Sequence, residues 1–492
     1  MNEKAKKRPE LDLAGALELS PSPESHPVTF RERYGHYIDG KRVEGPSDAD
    51  FETLNPATGK PIAKVATAGE EEVDKAVKAA RKAYDKVWSR MDGATRGKYL
   101  YRIARRLQER SREFAVAETI DNGKPIRETR DVDVPLAAQH FFYYAGWADK
   151  LAYAAPGREV APLGVAAQVI PWNFPLLMAA WKIAPALATG NTVVLKPAET
   201  TPITSTMLTE IFEEVDLPPG VVNIVNGAGS TGAALVGHPG VDKVAFTGST
   251  AVGRIIMRQI AGSKKKATME LGGKGANVVF ADAALDQAVE GVINGIFFNQ
   301  GHVCCAGSRL LLEESIADEF VARLKRRIST LRMGDPLDKN TDIGAINSAE
   351  QLSTIQRYID IGKSEGGQCW QGSATEPPGH GYFVRPTLFT GVQQSDTIVR
   401  EEIFGPVLSI LTFRTPEEAV TKANNSEYGL AAGVWTEKTS KLFEVAHALN
   451  AGVVWANGYN LFDAASPFGG VRHSGFGREG GIAGLFPYLE VR

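Results

Sequence analysis

GVAAQVIPWNFPLLMAAWKIAPALATGNTVVLKPAE, residues 164–199, contains a complete strand–helix–strand pattern. Two short apolar runs, Val165–Ile170 and Thr192–Leu195, flank a longer segment with helical character. Continuous apolar strands between helices are what a parallel sheet covered on both faces requires. The segment therefore predicts an α/β fold built on a parallel sheet.

The uncharged run from Val160 to Trp181 is, by length alone, sufficient to cross a bilayer, for which about 20 apolar residues are enough. Pro162, Pro171 and Pro175 interrupt the run, and a lipid-facing helix broken in this way could not satisfy its backbone hydrogen bonds. We therefore expect a buried strand, an irregular turn and the start of a helix, and no membrane partner.

The alternation of strands and helices continues downstream. Val221–Val225 and Lys243–Phe246 extend the first series of strands, and a second series begins after Gly273. The second series consists of Ala276–Phe280, Arg309–Leu312, Val407–Phe413 and Gly452–Ala456. No Gly/Ser-rich or Pro-rich linker divides the two series, so we expect two closely packed, Rossmann-like parallel-sheet domains with a cleft between them.

Helices precede this region. Glu70–Arg90 repeats apolar residues at three- and four-residue spacing, which predicts an amphipathic helix with Val87 on its apolar face. A second helix is expected from about Thr95, with one apolar face that extends to Phe114. Gly123 is expected to end this helix or the one after it.

Composition excludes several classes of protein. The 492 residues include 55 basic and 58 acidic side chains, and this balance leaves no electrostatic footprint for nucleic acid or an anionic membrane. Cys304, Cys305 and Cys369 offer neither a disulfide framework nor a Cys-x-x-Cys zinc pattern. We expect a cytoplasmic protein with no metal site and no nucleic-acid partner. Residues 1–30, with mixed charge and three prolines, are expected to form a loosely ordered arm.

Two glycine-rich turns follow predicted strands. GAGSTG, residues 227–232, matches the dinucleotide fingerprint, but the next strand ends without the acidic residue that the fingerprint requires. A packing turn is therefore an equally good interpretation of this motif. FTGSTAVG, residues 246–253, repeats the order of strand, Gly-Ser-Thr and helix, and free N–H groups at a helix start suit a pyrophosphate. Two such units in succession predict a nucleotide site.

Lys196 and Glu199 follow the second strand of the opening segment. The carboxyl ends of strands are where α/β proteins bind ligands, so both side chains can hydrogen-bond ribose hydroxyls. The carboxylate would repel a 2′-phosphate, which favours NAD over NADP. A solvated surface ion pair is the alternative interpretation.

Cys304 is a candidate nucleophile in FFNQGHVCCAGSR, residues 297–309. Glycines bracket it in a loop, and a protonated His302 two residues away would favour the reactive thiolate. Cys305 is an equally well placed rival on chemistry alone. A metal site made by His302 with both thiols is a poorer alternative, because adjacent cysteines rarely bind one metal.

Glu270 and Asn173 are candidate partners of the thiol. Glu270 in MELGGK stands at the junction of the two series of strands, where a carboxylate can act as a general base or join the domains by an ion pair. Asn173 in PWNFP has a proline two positions before it and another two positions after it. An amide immobilised in this way is a good oxyanion donor, although it can also merely satisfy a turn.

Together these residues resemble the NAD(P)-dependent aldehyde dehydrogenase superfamily. The likeness extends from about Tyr34 to Arg492 and rests on seven motifs in the family's order. These are PWNFP, LKPAE, FTGST-x-VG, ELGGK, GxxCCAGSR, EEIFGPV and PFGG-x-x-x-SGxGRE. Seven ordered motifs are far more specific than one glycine loop.

The resemblance implies oxidation of an aldehyde to a carboxylic acid with NAD+. Cys304 would form a thiohemiacetal, whose oxyanion would be held by the Asn173 amide and the Cys304 backbone N–H. After hydride transfer, Glu270 would activate the water that hydrolyses the thioester, and Lys182 would support the cleft. The implied cofactor contacts are Trp172, Lys196, Glu199, Gly248, Ser249, Gly253, Glu402 and Phe404.

The resemblance also implies a substrate funnel lined by Phe174, Met178, Trp181 and Phe468. An aromatic funnel without a charged residue favours apolar or aromatic aldehydes, although ordinary core packing would explain these side chains equally simply.

The family's fold implies a division of the chain. The nucleotide-binding domain would comprise residues 31–142 and 163–272, and the catalytic domain residues 273–472. A small β-extension for oligomerisation would comprise residues 143–162 and 473–492, which implies a homodimer or homotetramer.

His302 and Cys305 prompt two further hypotheses. His302 stands where the family usually has Gln or Glu, and we expect it to lower the pKa of the Cys304 thiol or to accept a proton. Cys305 is expected to condense reversibly with an oxidised Cys304.

Two other classes of protein remain open. A cysteine hydrolase would need the same thiol, amide and carboxylate, but it would have no use for Lys196, Glu199, Gly248 or Glu402. A non-catalytic descendant of the family would commonly have lost the nucleophile or the base.

Overall fold

The computed structural model of the chain describes residues 24–25, 28–46 and 48–492. Most of the N-terminal arm that we expect over residues 1–30 lies outside the described residues.

The α-helices of the described residues are numbered in chain order. They are α1 (Glu70–Lys86), α2 (Gly93–Glu109), α3 (Ser111–Asn122), α4 (Ile126–Glu128), α5 (Val134–Ala145), α6 (Leu151–Ala154), α7 (Pro175–Ala188), α8 (Ile203–Glu214), α9 (Gly229–Gly237), α10 (Thr250–Ile260), α11 (Leu285–Phe297), α12 (Ala317–Ile328), α13 (Ala349–Ser364), α14 (Thr397–Arg400), α15 (Pro416–Asn424) and α16 (Thr439–Ala448).

The strands are numbered in the same way. They are β1 (Arg33–Tyr34), β2 (His36–Ile38), β3 (Lys41–Val43), β4 (Phe51–Asn55), β5 (Lys60–Val65), β6 (Val160–Pro162), β7 (Val165–Val169), β8 (Thr192–Lys196), β9 (Val222–Ile224), β10 (Lys243–Thr247), β11 (Lys266–Glu270), β12 (Ala276–Val279), β13 (Arg309–Glu313), β14 (Gln368–Gln371), β15 (Thr387–Thr390), β16 (Val407–Phe413), β17 (Ala431–Trp435), β18 (Val453–Ala456), β19 (Gly475–Phe476) and β20 (Leu489–Val491).

The first large sheet has eight strands in the order β19-β11-β10-β7-β8-β9-β2-β3. Its five central strands, from β11 to β9, are parallel, and antiparallel strands flank them on both sides. From β7 the chain adds β8 and β9 on one side and then β10 and β11 on the other. The gap between β7 and β10 is therefore the topological switch point, where open α/β sheets bind their ligands.

The second large sheet has seven strands in the order β14-β15-β16-β13-β12-β17-β18, parallel except for β14. Residues 271–275 alone separate β11 of the first sheet from β12 of the second. The α/β fold class is therefore confirmed. The antiparallel strands at the sheet edges were not predicted from the sequence.

All eight strands predicted from apolar runs are present, with ends within one residue of the expected positions. The second helix differs from the expectation, because it ends at Glu109 and Phe114 lies on α3. Arg110 leaves helical geometry between the two helices, and Gly123 ends α3 with a left-handed cap. Val87 follows α1 and is exposed, so its assignment to the apolar face was wrong.

Two small sheets accompany the two large ones in the described residues, and one of them falls where a small β-extension was expected. Strands β1, β5 and β4 form one of them, and β6 pairs with β20 in a two-stranded ribbon. The ribbon joins two segments that we assigned to an oligomerisation extension. Gly475–Phe476, also assigned to that extension, instead pairs with β11 of the first sheet, a contact too short to leave a sequence pattern. The domain division as a whole stays a prediction.

The strands nearest the switch point are buried, as expected for a sheet covered on both faces. Every residue of β8 and β10 is buried, and α7 is buried along nearly its whole length. Across the described ranges, no helix is long and apolar enough to cross a membrane.

Candidate active site

A cavity of about 300 Å³ lies where the carboxyl ends of β7, β10 and β11 face the second sheet. Twelve of the sixteen residues proposed from the sequence line it. They are Trp172, Asn173, Phe174, Met178, Trp181, Gly248, Ser249, Glu270, Cys304, Glu402, Phe404 and Phe468. Lys182, Lys196, Glu199 and Gly253 do not line it.

Asn173 lies in the turn between β7 and α7. Pro175 occupies the first turn of α7, where its missing N–H is no loss, and this fixes the chain direction after Asn173. The Asn173 side chain is buried, and its Nδ2 donates to the His302 carbonyl oxygen at 2.8 Å. An amide nitrogen carries two N–H groups, so one remains available to an oxyanion in the cavity.

Cys304 lies in the loop between α11 and β13. The loop enters through Asn299, Gln300 and Gly301, all three in the left-handed backbone region. At Gly301 a Cβ atom would lie 2.2 Å from the Gly405 carbonyl oxygen, so only glycine fits there. The close packing brings the thiol loop against the segment that carries Glu402 and Phe404.

Burial separates the two adjacent thiols. Cys304 is partly exposed to the cavity, whereas Cys305 is buried, with its Sγ 3.6 Å from Asn460 Oδ1. Burial raises the pKa of the Cys305 thiol well above its usual value, and the neighbouring Cys304 raises it further. Since the thiolate is the nucleophile, the structure favours Cys304 over its rival.

Glu270 is the last residue of β11 and is buried. Neither of its carboxylate oxygens has a hydrogen-bond partner among the residues the structure describes. Burial raises the pKa of Glu270 well above its usual value, and the negative charge of Glu479 adds to the rise, while Lys182 opposes it. The carboxyl group is therefore poised to exchange a proton with a group in the cavity.

Lys182 lies on α7 with its side chain fully buried, and its ammonium pairs with Glu479. Glu479 in turn lines the cavity. Sequence reasoning included this glutamate in the SGxGRE motif but gave it no role, since 297 residues separate it from Lys182. One positive and one negative side chain, paired with each other, therefore lie near Glu270.

His302 does not provide the cation that we expected beside the thiol. Its ring is fully buried, and burial lowers its pKa to about 3, an effect that Lys124 strengthens. The imidazole is therefore neutral near pH 7 and cannot favour the Cys304 thiolate as a positive charge. Instead the ring packs edge-on against Trp172 and stacks with Phe404, with centroid distances of 4.8 and 6.0 Å.

The cavity reaches the start of helix α10. Ser249 is the N-cap of this helix, its Oγ accepts from the Val252 N–H, and both Gly248 and Ser249 line the cavity. An N-terminal turn of this kind attracts an anionic group such as a pyrophosphate. Gly253 serves packing in this structure, because a Cβ atom there would lie 2.6 Å from Leu271.

Lys196 and Glu199 lie next to this region but outside the cavity. The Lys196 side chain is buried and donates to the half-exposed Glu199 carboxylate at 3.3 Å. A Cβ atom at Gly232 of the GAGSTG motif would lie 3.6 Å from Lys196 Cδ. The GAGSTG turn therefore lies beside the lysine, outside the cavity itself.

Glu402 and Phe404 form the opposite wall. Glu402 Oε1 accepts from the Gly273 N–H at 2.9 Å, and burial raises the pKa of Glu402 to about 7. Phe404 has a left-handed backbone with φ of 56° and packs edge-on against Trp172 at 5.2 Å. Helix-start N–H groups and a buried carboxylate in one cavity are the donors and acceptor that a dinucleotide needs, so these residues fit such a cofactor.

Aromatic side chains line the remaining part of the cavity. Trp181 contacts Phe468 and Phe462, with ring centroids 5.7 and 6.3 Å apart, and Phe174 stacks on Phe298 at 6.1 Å. The sequence analysis assigned no role to several members of this lining. They are Val132, Leu136, Leu177, Phe298, Val303 and Phe462.

The metal alternative receives no support from geometry. Within the described part of the chain, no group of three or more His, Cys, Asp or Glu side chains is arranged to hold a metal ion.

Known proteins resemble this chain in sequence and in fold. The family model described as "Aldehyde dehydrogenase family" matches residues 43–492. Human mitochondrial aldehyde dehydrogenase is 46% identical over 97% of this chain and 94% of its own length. The NAD+ complex of an aldehyde dehydrogenase from Bacillus cereus superposes with a TM-score of 0.90 at 43% identity, covering 94% of this chain and 96% of that one.

A second solved structure is AldA of P. syringae, an indole-3-acetaldehyde dehydrogenase in complex with NAD+ and IAA. It has a TM-score of 0.91 at 40% identity and covers 94% of this chain and 96% of its own. With the motifs in order, the thiol cavity formed and the fold shared along nearly the whole length, this chain belongs to the aldehyde dehydrogenase family.

Proposed function

We propose that this protein oxidises an apolar or aromatic aldehyde to its carboxylic acid with NAD+, through a thioester on Cys304. One observation carries the proposal: the thiol, the Asn173 amide, the Glu270 carboxyl and the start of α10 share a single cavity. A hydrolase would have no need for the helix start or for the buried Glu402.

The reaction begins at Cys304. Its sulfur attacks the aldehyde carbon, and the carbonyl electron pair moves to oxygen, which gives a thiohemiacetal. The free N–H of the Asn173 amide and the backbone N–H of Cys304 hold this oxyanion, and one such donor is worth about 10²–10³ in kcat. NAD+, when bound, supplies the acceptor for the hydride whose loss converts the thiohemiacetal to a thioester.

Glu270 acts in the second half of the reaction. Its ionised carboxylate takes a proton from water, the hydroxide formed attacks the thioester carbon, and the Cys304 sulfur leaves as thiolate. The Lys182–Glu479 pair adjusts the proton affinity of Glu270, because the glutamate charge raises the pKa and the lysine charge lowers it. The carboxylic acid is the product.

The substrate class follows from the cavity lining. Trp181, Phe462 and Phe468 form an aromatic cluster, and Leu136 and Met178 add aliphatic surface. Glu270 and Glu479 lie among these lining residues, and no cation does. Such a lining favours flat or apolar aldehydes and gives no partner to an anionic substrate.

One residue supports NAD over NADP. The Glu199 carboxylate, half exposed beside Lys196, would repel a 2′-phosphate on the adenosine ribose. Gly248 and Ser249 would hold the pyrophosphate, Glu402 the nicotinamide ribose, and Trp172 and Phe404 would flank the ring. Lys196 and Glu199 would hold the other ribose.

The remaining proposals concern the whole chain. We infer a homodimer or homotetramer, held through the β6–β20 ribbon, and the domain division given above. A cytoplasmic location is supported by three cysteines that are all free thiols.

The experiment that tests the proposed function is NADH formation with aliphatic, aromatic and anionic aldehydes. We expect turnover with the first two groups and little with the third, and more turnover with NAD+ than with NADP+. Cys304→Ala should abolish it while NAD+ binding persists, whereas the matched variant Cys305→Ala should retain it. Full activity in Cys304→Ala would overturn the proposal.

A further inference from the structure

The loop that carries Cys304 starts with strained backbone. The backbones of Asn299 and Gln300 have φ angles of 48° and 52°. Residues other than glycine rarely adopt this left-handed conformation. The surrounding structure must therefore hold both residues. Gln300 is held by the neighbouring segment, since it donates to the Ala345 carbonyl at 3.0 Å and accepts from the Gly344 N–H at 3.2 Å.

Asn299 is held by a buried carboxyl group. Its backbone N–H donates to Glu128 Oε2 at 2.9 Å, and Glu128 ends helix α4. Burial raises the pKa of Glu128 to about 8, while the nearby Lys124 opposes the rise. One oxygen can accept this hydrogen bond in either protonation state. Glu128 does not line the thiol cavity and has no part in the reaction described above.

The Asn299 side chain connects this anchor to the site. Its Nδ2 donates to the Asn173 carbonyl oxygen at 2.8 Å and to the His302 carbonyl oxygen at 3.4 Å. The Asn173 amide donates to the same His302 oxygen at 2.8 Å. Asn299 therefore joins the turn before α7 to the loop before Cys304.

We propose that Glu128 is a positioning residue that fixes Asn299. Through Asn299 it holds the Asn173 amide and the Cys304 loop in the relative position that oxyanion binding requires. The inference rests on the proposed function, because it assigns the effect of Glu128 to the oxyanion role of Asn173. An anchor outside the cavity preorganises the donor without contact to the substrate.

The primary test compares Glu128→Leu with Glu128→Gln. Leucine removes the acceptor, so we expect kcat to fall about 30-fold while KM for aldehyde and NAD+ changes less than about threefold. Glutamine keeps an oxygen for the Asn299 N–H and should restore kcat to within about threefold of the parent. The control is Glu290→Gln, an exposed carboxylate paired with Arg327 on the same side of the molecule, which should behave like the parent.

A second variant keeps the inference testable if Glu128→Leu does not fold. Asn299→Gly removes the side-chain bridge, retains the bond to Glu128 and suits the left-handed backbone, so it should also lower kcat about 30-fold. In an Asn173→Ala background, Glu128→Leu should lower kcat less than about threefold, because both changes act on one donor.

Several outcomes would overturn the inference. The first is a parent-like kcat in Glu128→Leu or in Asn299→Gly. The second is an equal loss of kcat in Glu128→Gln and Glu128→Leu. The third is a double variant of Glu128→Leu and Asn173→Ala in which the two losses of kcat multiply, as they would for independent sites. Parent-like kcat in Asn173→Ala alone would instead remove the oxyanion role from the proposed function itself.

Discussion

The carboxyl group of Glu270 is buried, and none of the described residues donates a hydrogen bond to either oxygen. Burial and the charge of Glu479 therefore hold its pKa well above the usual range. A general base must be ionised to accept a proton, so in the reaction that we propose the hydrolytic step accelerates as pH rises through this raised pKa.

Glu270→Gln keeps the shape of the side chain and removes its titration. We expect kcat to fall about 100-fold, and the rising limb of the pH–rate profile that belongs to this group to disappear. A rapid burst of NADH should persist, because formation of the thioester does not require the base. Stopped-flow and steady-state rates across pH measure both effects, with Glu314→Gln, an exposed acid paired with Arg414, as the control. A parent-like pH–rate limb in Glu270→Gln would refute the assignment.

Glu199 is the residue on which cofactor choice depends in our proposal. Its carboxylate is half exposed beside the buried Lys196 amine, so removing its charge leaves a cation to meet a 2′-phosphate. We expect Glu199→Ser to raise the ratio of kcat/KM for NADP+ over NAD+ about tenfold, or about 1.4 kcal/mol. Glu213→Ser, which removes an acid from α8, is the matched control. An unchanged ratio would mean that another group selects the cofactor.

At the scale of elements, the site is formed by strand ends that the sequence largely predicts. Short, mostly apolar runs marked β7, β8 and β10, and the polar motifs follow directly after them. Parallel strands bring their carboxyl ends to one edge, so these motifs meet at the switch point.

The parts that could not be predicted depend on contacts between distant segments. Glu479 reaches Lys182 across 297 residues, and β19 is a two-residue strand whose pairing with β11 leaves no periodic pattern. The neutral state of His302 likewise follows from burial, which the sequence does not display. Tertiary packing decides each of these features.

Lys274, in the connection between β11 and β12, lowers the stability of the folded protein. Its amine is buried, and no residue in the described ranges accepts a hydrogen bond from it. Burial lowers its pKa from 10.5 to about 7, helped by the nearby Arg309 charge. Between these two values the folded chain binds one proton fewer than the unfolded chain, so from this group the free energy of unfolding rises by about 1.4 kcal/mol per pH unit.

Lys274→Met should therefore stabilise the protein near pH 7.5 by about 1–3 kcal/mol and weaken the pH dependence above neutrality. Methionine has a similar volume and leaves no unpaired amine in the interior. Urea unfolding at neutral and alkaline pH measures the change, and the exposed Lys60→Met provides the control. The argument fails if Lys274→Met is destabilised and keeps the parent's pH slope.

At the scale of the whole molecule, the proposed reaction depends on two sheets that share one cavity. The first sheet supplies Asn173, Glu270 and the start of α10, and the loop before β13 of the second supplies the thiol. Only residues 271–275 connect β11 to β12, so the sheets cannot move far apart at this point. The short connection therefore keeps the proposed base, Glu270, close to the proposed nucleophile, Cys304.

The β6–β20 ribbon is the smallest sheet in the described residues, with only two strands. A two-stranded ribbon is marginally stable by itself in water. Apolar side chains near it in sequence are nonetheless exposed: Tyr153 by 77%, Ile482 by 41% and Phe486 by 38%. Exposed apolar surface around an incomplete sheet is typical of an interface between subunits.

Changing Tyr153 and Phe486 together to Asp should therefore dissociate the proposed homo-oligomer into monomers. Two carboxylates placed in an apolar interface would lose hydration without gaining partners, which costs several kcal/mol and exceeds what most such contacts supply. Sedimentation velocity should show the parent as a dimer or larger and the double variant as a monomer. Phe443→Asp is the matched control, because Phe443 is 60% exposed on α16, away from the ribbon in sequence, and should sediment with the parent. Equal sedimentation coefficients for parent and double variant would show that the ribbon does not hold the subunits together.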